Sequence, residues 1–338
     1  MTPLEDAIAA AIPTLKKCRS AVLTTHVNPD GDGLGSELAL AEWLESRGCV
    51  THILNHSNTP VVYRFLDPTQ RIRVFNPAQD SALILQADLI LVIDTSHLDR
   101  VRSLKEFVLA SHAATICIDH HLEAQGFADF DLIDEEATST GEIVYRVLQQ
   151  LQGPHLTRSM ATNLYCAIMT DTGSFRFPRV DAEIHRIAAS LLEYGADPVS
   201  VYSNVYERWS NGRIHLLGEM LAGLKSGFNG QLAYVTITRE MLERTGTTEE
   251  DADNFTVYPM SIEGVKMGIL FLELPEGVKI SVRSKGDVPA NLLAKQFNGN
   301  GHKNAAGARV YTAGLAEVQQ QVVAAAGNFL SPSTIRQL

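Results

Sequence analysis

The sequence predicts an α/β protein of two domains. The N-terminal one is expected to carry a mostly parallel sheet with flanking helices. The smaller C-terminal α/β domain has a mixed sheet, and a helical linker joins the two. Three observations carry this expectation. Near-continuous apolar runs alternate with helical patterns through the first half, as strands buried on both faces of a parallel sheet do. Helical periodicity without strand signals then fills the stretch from about residue 199 to 226. Beyond it the texture changes to strand, tight turn and strand. At 338 residues, 45% hydrophobic and 20% charged, the chain is long enough for two ordinary cores. The expected ranges are 1–195, 196–228 and 229–338.

Taken in order, the start MTPLEDAIAAAIPTLKK has acids early and no basic leader, and reads as an amphipathic first helix rather than a signal peptide. Ala21-Val22-Leu23 reads as a short buried strand. Leu34, Leu38, Ala41 and Leu44 recur at helical spacing, with Gly48 as the C-cap. The strand-to-helix turn between them, in TTHVNPDGDGLGSE, gathers His26, Asp30 and Asp32. Open α/β sheets place ligand sites in such turns. Gly31 and Gly33 permit the positive φ angles and close approach that such a turn can need. Spacing alone leaves two readings open here, a metal site or an Asx-rich turn capping a helix.

Next come two apolar strands that each end in an aspartate, LILVID at 89–94 and ATICID at 114–119. Helical patterns follow at 140–151, 157–170 and 181–194, the last stopped by YGADP. The helical stretch after Val199 breaks near SNGR. FNGQ then reads as a turn opening the strand LAYVTI, and VKMGILFLEL, PEG and VKISVRS read as strand, turn and strand. There is no internal repeat and no low-complexity segment.

No apolar run approaches the roughly 20 residues of a membrane span, so none is expected. The four cysteines, Cys18, Cys49, Cys117 and Cys166, show no CxxC spacing and read as reduced thiols of a cytoplasmic protein. A net charge of -11 argues against a protein that tracks along nucleic acid through a broad basic stripe. It leaves room for a small phosphorylated substrate, because bound metals and a few arginines supply local positive charge.

The strand ends carry the chemistry. Asp94 ends one apolar strand, Asp119-His120-His121 ends another, and Asp171 follows the helical NLYCAIMT. With His26, Asp30 and Asp32, four separate segments offer oxygen or nitrogen ligands. A turn or cap explains any one of them. Four in one domain are harder to explain so, because clustered carboxylates repel unless cations are present. Mixed Asp and His ligation without thiolate favours Mn, Mg, Fe or Co over a structural zinc.

In this order, HVNPDGD, VIDTS, IDHH and MTDTGSFRF resemble the four motifs of the DHH phosphoesterases. Downstream, ISVRS and GNGHKNAAGA resemble the substrate-binding part of the DHH-associated domain, type 1. The resemblance runs from about Ala21 to Ala308, and in size and layout it is similar to the NrnA-like group of nano-RNases and 3′,5′-bisphosphate nucleotidases. One departure is Gly299-Asn300-Gly301-His302 where the family usually has GGGH. Asn can also adopt a left-handed backbone, so the loop is expected to survive the change.

The resemblance implies two divalent cations, Mn²⁺ first, with Mg²⁺, Co²⁺ or Fe²⁺ as alternatives. It gives one cation to His26, Asp30 and Asp94, and the other to Asp32, Asp94, His120 and Asp171, with Asp94 bridging. A hydroxide held by the pair attacks phosphorus in line. Asp119 orients an imidazole, and His121 contacts the scissile phosphate or protonates the leaving oxygen. Arg283 grips a further phosphate bidentately, His302 with Gly299 and Gly301 approaches another, and Arg100 and Arg176 are further candidates. The implied substrates are short RNA oligonucleotides of about two to five nucleotides, which suit a cleft between two closing domains, and 3′-phosphoadenosine 5′-phosphate. No membrane partner is implied, and a homodimer is admissible. The rivals are a phosphodiesterase for linear or cyclic dinucleotide signals and a non-catalytic nucleotide sensor. Ligands at all four motifs favour an enzyme over a sensor.

Overall fold

The structure is a computed structural model that describes residues 2–151 and 156–330. Positions 331–338 of the expected C-terminal domain lie outside the described residues. After Arg208 the chain divides into two compact units. The segment expected to join the domains, 196–228, is shared between them.

The first unit runs α1 (Pro3–Lys17), β1 (Ser20–Thr25), α2 (Gly31–Ser46), β2 (Val50–Asn55), β3 (Ile72–Val74), α3 (Pro77–Leu85), β4 (Leu89–Ile93), α4 (Lys105–Ala110), β5 (Ala114–Asp119), β6 (Phe130–Ile133), α5 (Thr140–Gln150), α6 (Arg158–Asp171), α7 (Ala182–Glu193) and α8 (Pro198–Tyr206). Thr2 and Glu5 close a capping box on α1, which buries Leu4, Ile8, Ala11 and Leu15. The α2 helix ends at Arg47, and Gly48, one residue further on, takes the left-handed φ of 84°. Gly48 is therefore the residue after the cap rather than the cap itself.

The sheet order is β3-β2-β1-β4-β5-β6 and every pair is parallel. All of β4 is buried, which its unbroken apolar run anticipated. Leu89, Leu91 and Ile93 face one core with α1, α2, α5 and α6, whereas Ile90 and Val92 face another with α3 and α4. Because β1 lies between β2 and β4, the chain reverses its winding at the carboxyl ends of β1 and β4. A crevice forms there in open sheets of this kind.

The second unit runs α9 (Asn211–Ala222), β7 (Lys225–Gly227), β8 (Leu232–Ile237), α10 (Arg239–Thr245), α11 (Val257–Met260), β9 (Met267–Leu274), β10 (Gly277–Ser284), α12 (Ala290–Lys295), β11 (Asn300–His302), β12 (Ala305–Val310) and α13 (Leu315–Leu330). Its mixed sheet has the order β11-β12-β10-β9-β8-β7, parallel only between β8 and β9. Strict alternation along β10 buries Val278, Ile280 and Val282 against α12 and α13. Lys279, Ser281 and Arg283 therefore share the opposite face. No helix among the described residues is long and apolar enough to cross a membrane.

Candidate functional site

His26 leaves the end of β1 with Nδ1 against its neighbour's carbonyl, Val27 O, at 2.9 Å. That contact directs Nε2 toward carboxylates, 3.2 Å from Asp94 Oδ2 and 3.7 Å from Asp30 Oδ2. Asp30 is the N-cap of α2. Its Oδ1 accepts from the Asp32 and Gly33 amides at 3.0 and 3.2 Å, while Oδ2 faces His26. The two readings left open by the sequence are thus not exclusive, since one carboxylate has an oxygen for each. Of the two properties glycine permits here, Gly31 and Gly33 use close approach and not a left-handed φ. They lie in the first turn of α2, where an added Cβ would come within 2.6 Å of Thr170 Oγ1 and 2.4 Å of Thr25 Oγ1. The left-handed residue of this turn is Asn28, at φ 56°.

Asp94 follows β4 with φ 61°, an uncommon conformation for a residue with a side chain. Its amide donates to Ile118 O on β5 at 2.8 Å, and its Oδ1 accepts from Thr140 Oγ1 at 2.9 Å. Asp32 is held by the start of α5: Thr140 N and Gly141 N donate to its two oxygens at 2.7 and 2.8 Å. A helix N-terminus suits an anion through its unpaired amides and its dipole. Sequence reasoning missed Thr140 and Gly141. The pattern Ser139-Thr140-Gly141-Glu142 does mark a helix start, but which anion that start would meet is set only by the fold.

His120 Nε2 lies 3.3 Å from Asp171 Oδ2, 3.7 Å from Asp32 Oδ2 and 3.9 Å from Asp94 Oδ1. Asp171 is the last residue of α6. Asp119 is buried and orients the pair of histidines. Its Oδ1 takes the His121 ring Nδ1 at 2.7 Å and the His120 amide at 2.9 Å. Burial opposes protonation of His121, but the Asp119 contact and the charges of Asp94 and Asp119 outweigh it and raise its pKa, with Arg100 pulling the other way.

No lysine or arginine among the described residues forms an ion pair with Asp30, Asp32, Asp94 or Asp171. Burial, then the charges of Asp94, Asp171 and Asp30, push the Asp32 carboxyl well above the usual range. Burial lifts Asp171 to about 7, with Asp94 and Asp30 adding to it against His120. Donor atoms of His26, Asp30 and Asp94 lie within 4.8 Å of one another, as do those of Asp32, His120 and Asp171, and those of Asp94, His120 and His121. Such oxygen and nitrogen sets without thiolate fit hard or borderline divalent cations.

In the second unit, Arg283 stands opposite Ala305, and Ala305 opposite His302. Paired residues point to one face, so Arg283 and His302 share it with a small alanine between them. Their backbones are about 10 Å apart, two strand spacings. The half-buried Arg283 donates from Nη1 to Val282 O at 3.1 Å and forms no ion pair among the described residues. It borders a cavity of about 270 Å³ with Asn254, Thr256, Lys279 and Ser281. Gly299 and Gly301 serve by what they lack: a Cβ would meet Gly307 O at 2.3 Å and Ala305 O at 2.5 Å. Asn300 does not use the left-handed backbone open to it. It lies in β11, and Asn298 (φ 58°) and Gly301 (φ 145°) take the positive angles. Arg176 turns its Nε back to Gly173 O at 2.7 Å.

Residues 20–168 match the DHH family, N-terminal domain, and residues 229–331 match the DHHA1 domain. The chain belongs to the DHH family of phosphoesterases and is by class a hydrolase of phosphoester bonds. It is similar to a protein of Thermus thermophilus named bifunctional oligoribonuclease and PAP phosphatase NrnA, with 30% identity over 303 residues, 90% of this chain and 88% of that one. A Bacillus subtilis protein of the same name is 28% identical, over 89% of this chain and 92% of its own. Among solved structures, an exopolyphosphatase-related protein from Bacteroides fragilis superposes with a TM-score of 0.92 at 29% identity, covering 98% of this chain and 99% of that one. RecJ of Thermus thermophilus shares the fold at 16% identity and a TM-score of 0.53, over 97% of this chain and 55% of RecJ.

Proposed function

We propose that this chain hydrolyses short oligoribonucleotides to mononucleotides, and 3′-phosphoadenosine 5′-phosphate to AMP, with two divalent cations, Mn²⁺ first. The observation that carries the reading is the set of overlapping donor groups around Asp94, whose two oxygens face His26 on one side and His120 on the other. The names of the Thermus and Bacillus relatives support the substrate class.

His26, Asp30 and Asp94 would hold one cation, and Asp32, Asp94, His120 and Asp171 the other. When bound, the pair supplies an acidified water and positive charge at the phosphoryl oxygens. Asp119 fixes the His121 ring, which would protonate the departing sugar oxygen. Arg283 and His302 hold a phosphate other than the scissile one. The reading places the enzyme in the cytoplasm with its RNA fragments.

The test is release of mononucleotide by the purified chain with Mn²⁺, across RNAs from two to about 25 nucleotides and the bisphosphate nucleotide. Hydrolysis is expected to be fastest at about two to five nucleotides, because a chain of net charge -11 offers no long basic track. Chelation should abolish it, and Mn²⁺ should restore it better than Ca²⁺, which prefers more ligands at longer distances. Equal rates on long strands would replace this reading with a RecJ-like one, and no hydrolysis of any substrate would remove it.

A further inference from the structure

Glu37 lies on α2 beyond Asp32, fully buried, and is not one of the donor groups. Its Oε2 accepts from Asn55 Nδ2 at 2.9 Å, and its Oε1 has no partner among the described residues. A buried acid so placed costs free energy that an apolar side chain would not. Its surroundings show what it does. Asn55 is the last residue of β2, and its backbone carbonyl accepts from Phe75 N at 2.8 Å, beyond β3. The rung toward β1 is made by the Asn55 side chain instead: Oδ1 accepts the Thr25 amide at 3.0 Å and lies 3.5 Å from Thr24 Oγ1. An amide side chain can present either end unless its neighbours tell the ends apart. Here they do. The Thr25 N–H can only donate, so the oxygen faces β1, and the NH₂ must then find an acceptor on the other side. Glu37 is that acceptor. Thr25 is the residue immediately before His26.

We propose that Glu37 is a positioning residue for the metal centre. By fixing which way the Asn55 amide points, it holds the end of β1 and with it the His26 imidazole against Asp30 and Asp94. Helix α2 would then set both sides of this ligand group, Asp30 as its own N-cap and His26 through Glu37 and Asn55. Without the acceptor, the amide is free to turn its NH₂ toward the Thr25 N–H, donor against donor, and the rung is lost. The inference rests on the proposed metal-dependent reading.

Glu37→Leu removes the acceptor, and Glu37→Gln keeps one. In the metal-free full-length protein, hydrogen exchange at the Thr25 amide should be about tenfold faster in Glu37→Leu and unchanged in Glu37→Gln. Calorimetric Mn²⁺ affinity should fall about tenfold in Glu37→Leu, the lower end of the effect of removing a partner of a ligating histidine, and should be kept in Glu37→Gln. Asn55→Ala should reproduce the loss. The melting temperature of Glu37→Leu reflects two opposed terms, relief of a buried acid and an Asn55 NH₂ left without its acceptor, so rescue by Glu37→Gln is what separates positioning from folding. Wild-type exchange and affinity in Glu37→Leu would overturn the proposal. So would a loss that tracks the melting temperature and is not rescued by Glu37→Gln, which would leave Glu37 a role in the fold alone. If the wild type itself binds no Mn²⁺, the proposed function fails, while the exchange data still decide whether Glu37 holds Thr25.

Discussion

In the N-terminal unit Asp32, Asp94 and Asp119 are each at most 1% exposed, and backbone amides or fixed hydroxyls reach all three. In the C-terminal unit Arg283 is half-buried with a single carbonyl contact, and His302 is exposed on a three-residue strand. The proposed roles would account for the difference. Buried carboxylates repel one another unless a cation joins them, so their positions must be fixed beforehand by the fold. The φ of 61° at Asp94 is one cost of that arrangement. A cation that meets a phosphate from solvent needs no such preparation, and its long side chain orders on binding. On the proposed reading, one unit is built for distance and the other for reach.

The largest expected effect tests the prepared half. Asp94→Asn keeps an acceptor for Thr140 and a residue type that tolerates the left-handed backbone, but removes the shared charge. Turnover should fall at least roughly ten-thousandfold, or about 5 kcal/mol of transition-state stabilisation, with metal content falling too. The metal-free variant should melt no lower than the wild type, because a repulsion has gone. Near-wild-type turnover in a folded Asp94→Asn protein would break the comparison, since the buried acids would then have no part in the reaction.

The same difference decides what the sequence reveals. The strands of the first sheet were legible because burial on both faces leaves an unbroken apolar run, as in β4. The donor residues were legible because each follows such a run, opens the next helix or, for Asp171, ends α6. Thr140, Gly141 and Asn55 were not, because each acts on a partner distant in the chain. Thr140 N, for example, meets Asp32 across 108 positions. Gly31 and Gly33 show the converse limit. Glycine announces that something needs its small size, and only the fold says that the reason is contact with Thr170 and Thr25 rather than a left-handed turn. In the second unit the strand β10 was legible, but not the pairing of Arg283 through Ala305 with His302.

Two glutamates sharpen the contrast through pH. Burial, more than any other influence, lifts Glu37 from 4.5 to about 8. A carboxyl with a raised folded pKa contributes its stability in full below its unfolded value and loses it as pH rises, here between 4.5 and about 8. Glu249 in the second unit goes the other way. Burial raises it, but Lys279 at 2.9 Å and Arg309 at 2.5 Å outweigh that and lower it. Its contribution is present above its unfolded pKa and lost as pH falls below it. In chelator, Glu37→Gln should therefore match the wild type near pH 4.5 and exceed it by pH 8, by on the order of 4 kcal/mol. Glu249→Gln should be weaker at pH 7 by less than about 1 kcal/mol, because the pair is partly solvated, with the deficit closing in acid. Thermal melts of both variants across pH 4–9 check the signs, and equal slopes would erase the distinction between the units.

The last expected effect concerns the half that reaches for its ligand. If Arg283 holds a phosphate away from the reacting one, Arg283→Ala should weaken substrate binding and leave the metal centre untouched. A charge-assisted contact of this kind is worth about 1.5–3 kcal/mol, roughly ten- to a hundredfold in affinity. The loss should appear with 3′-phosphoadenosine 5′-phosphate, whose second phosphate is its main handle beyond the scissile one. It should be absent with bis-p-nitrophenyl phosphate, which has only the scissile phosphate. Because the guanidinium makes no ion pair among the described residues, its removal should leave no buried carboxylate unpaired and should change stability little. Both substrates are measured with one protein preparation at one Mn²⁺ concentration. An equal fall on both would mean that Arg283 serves the transition state or the fold, and the division between a unit built for distance and one built for reach would not hold.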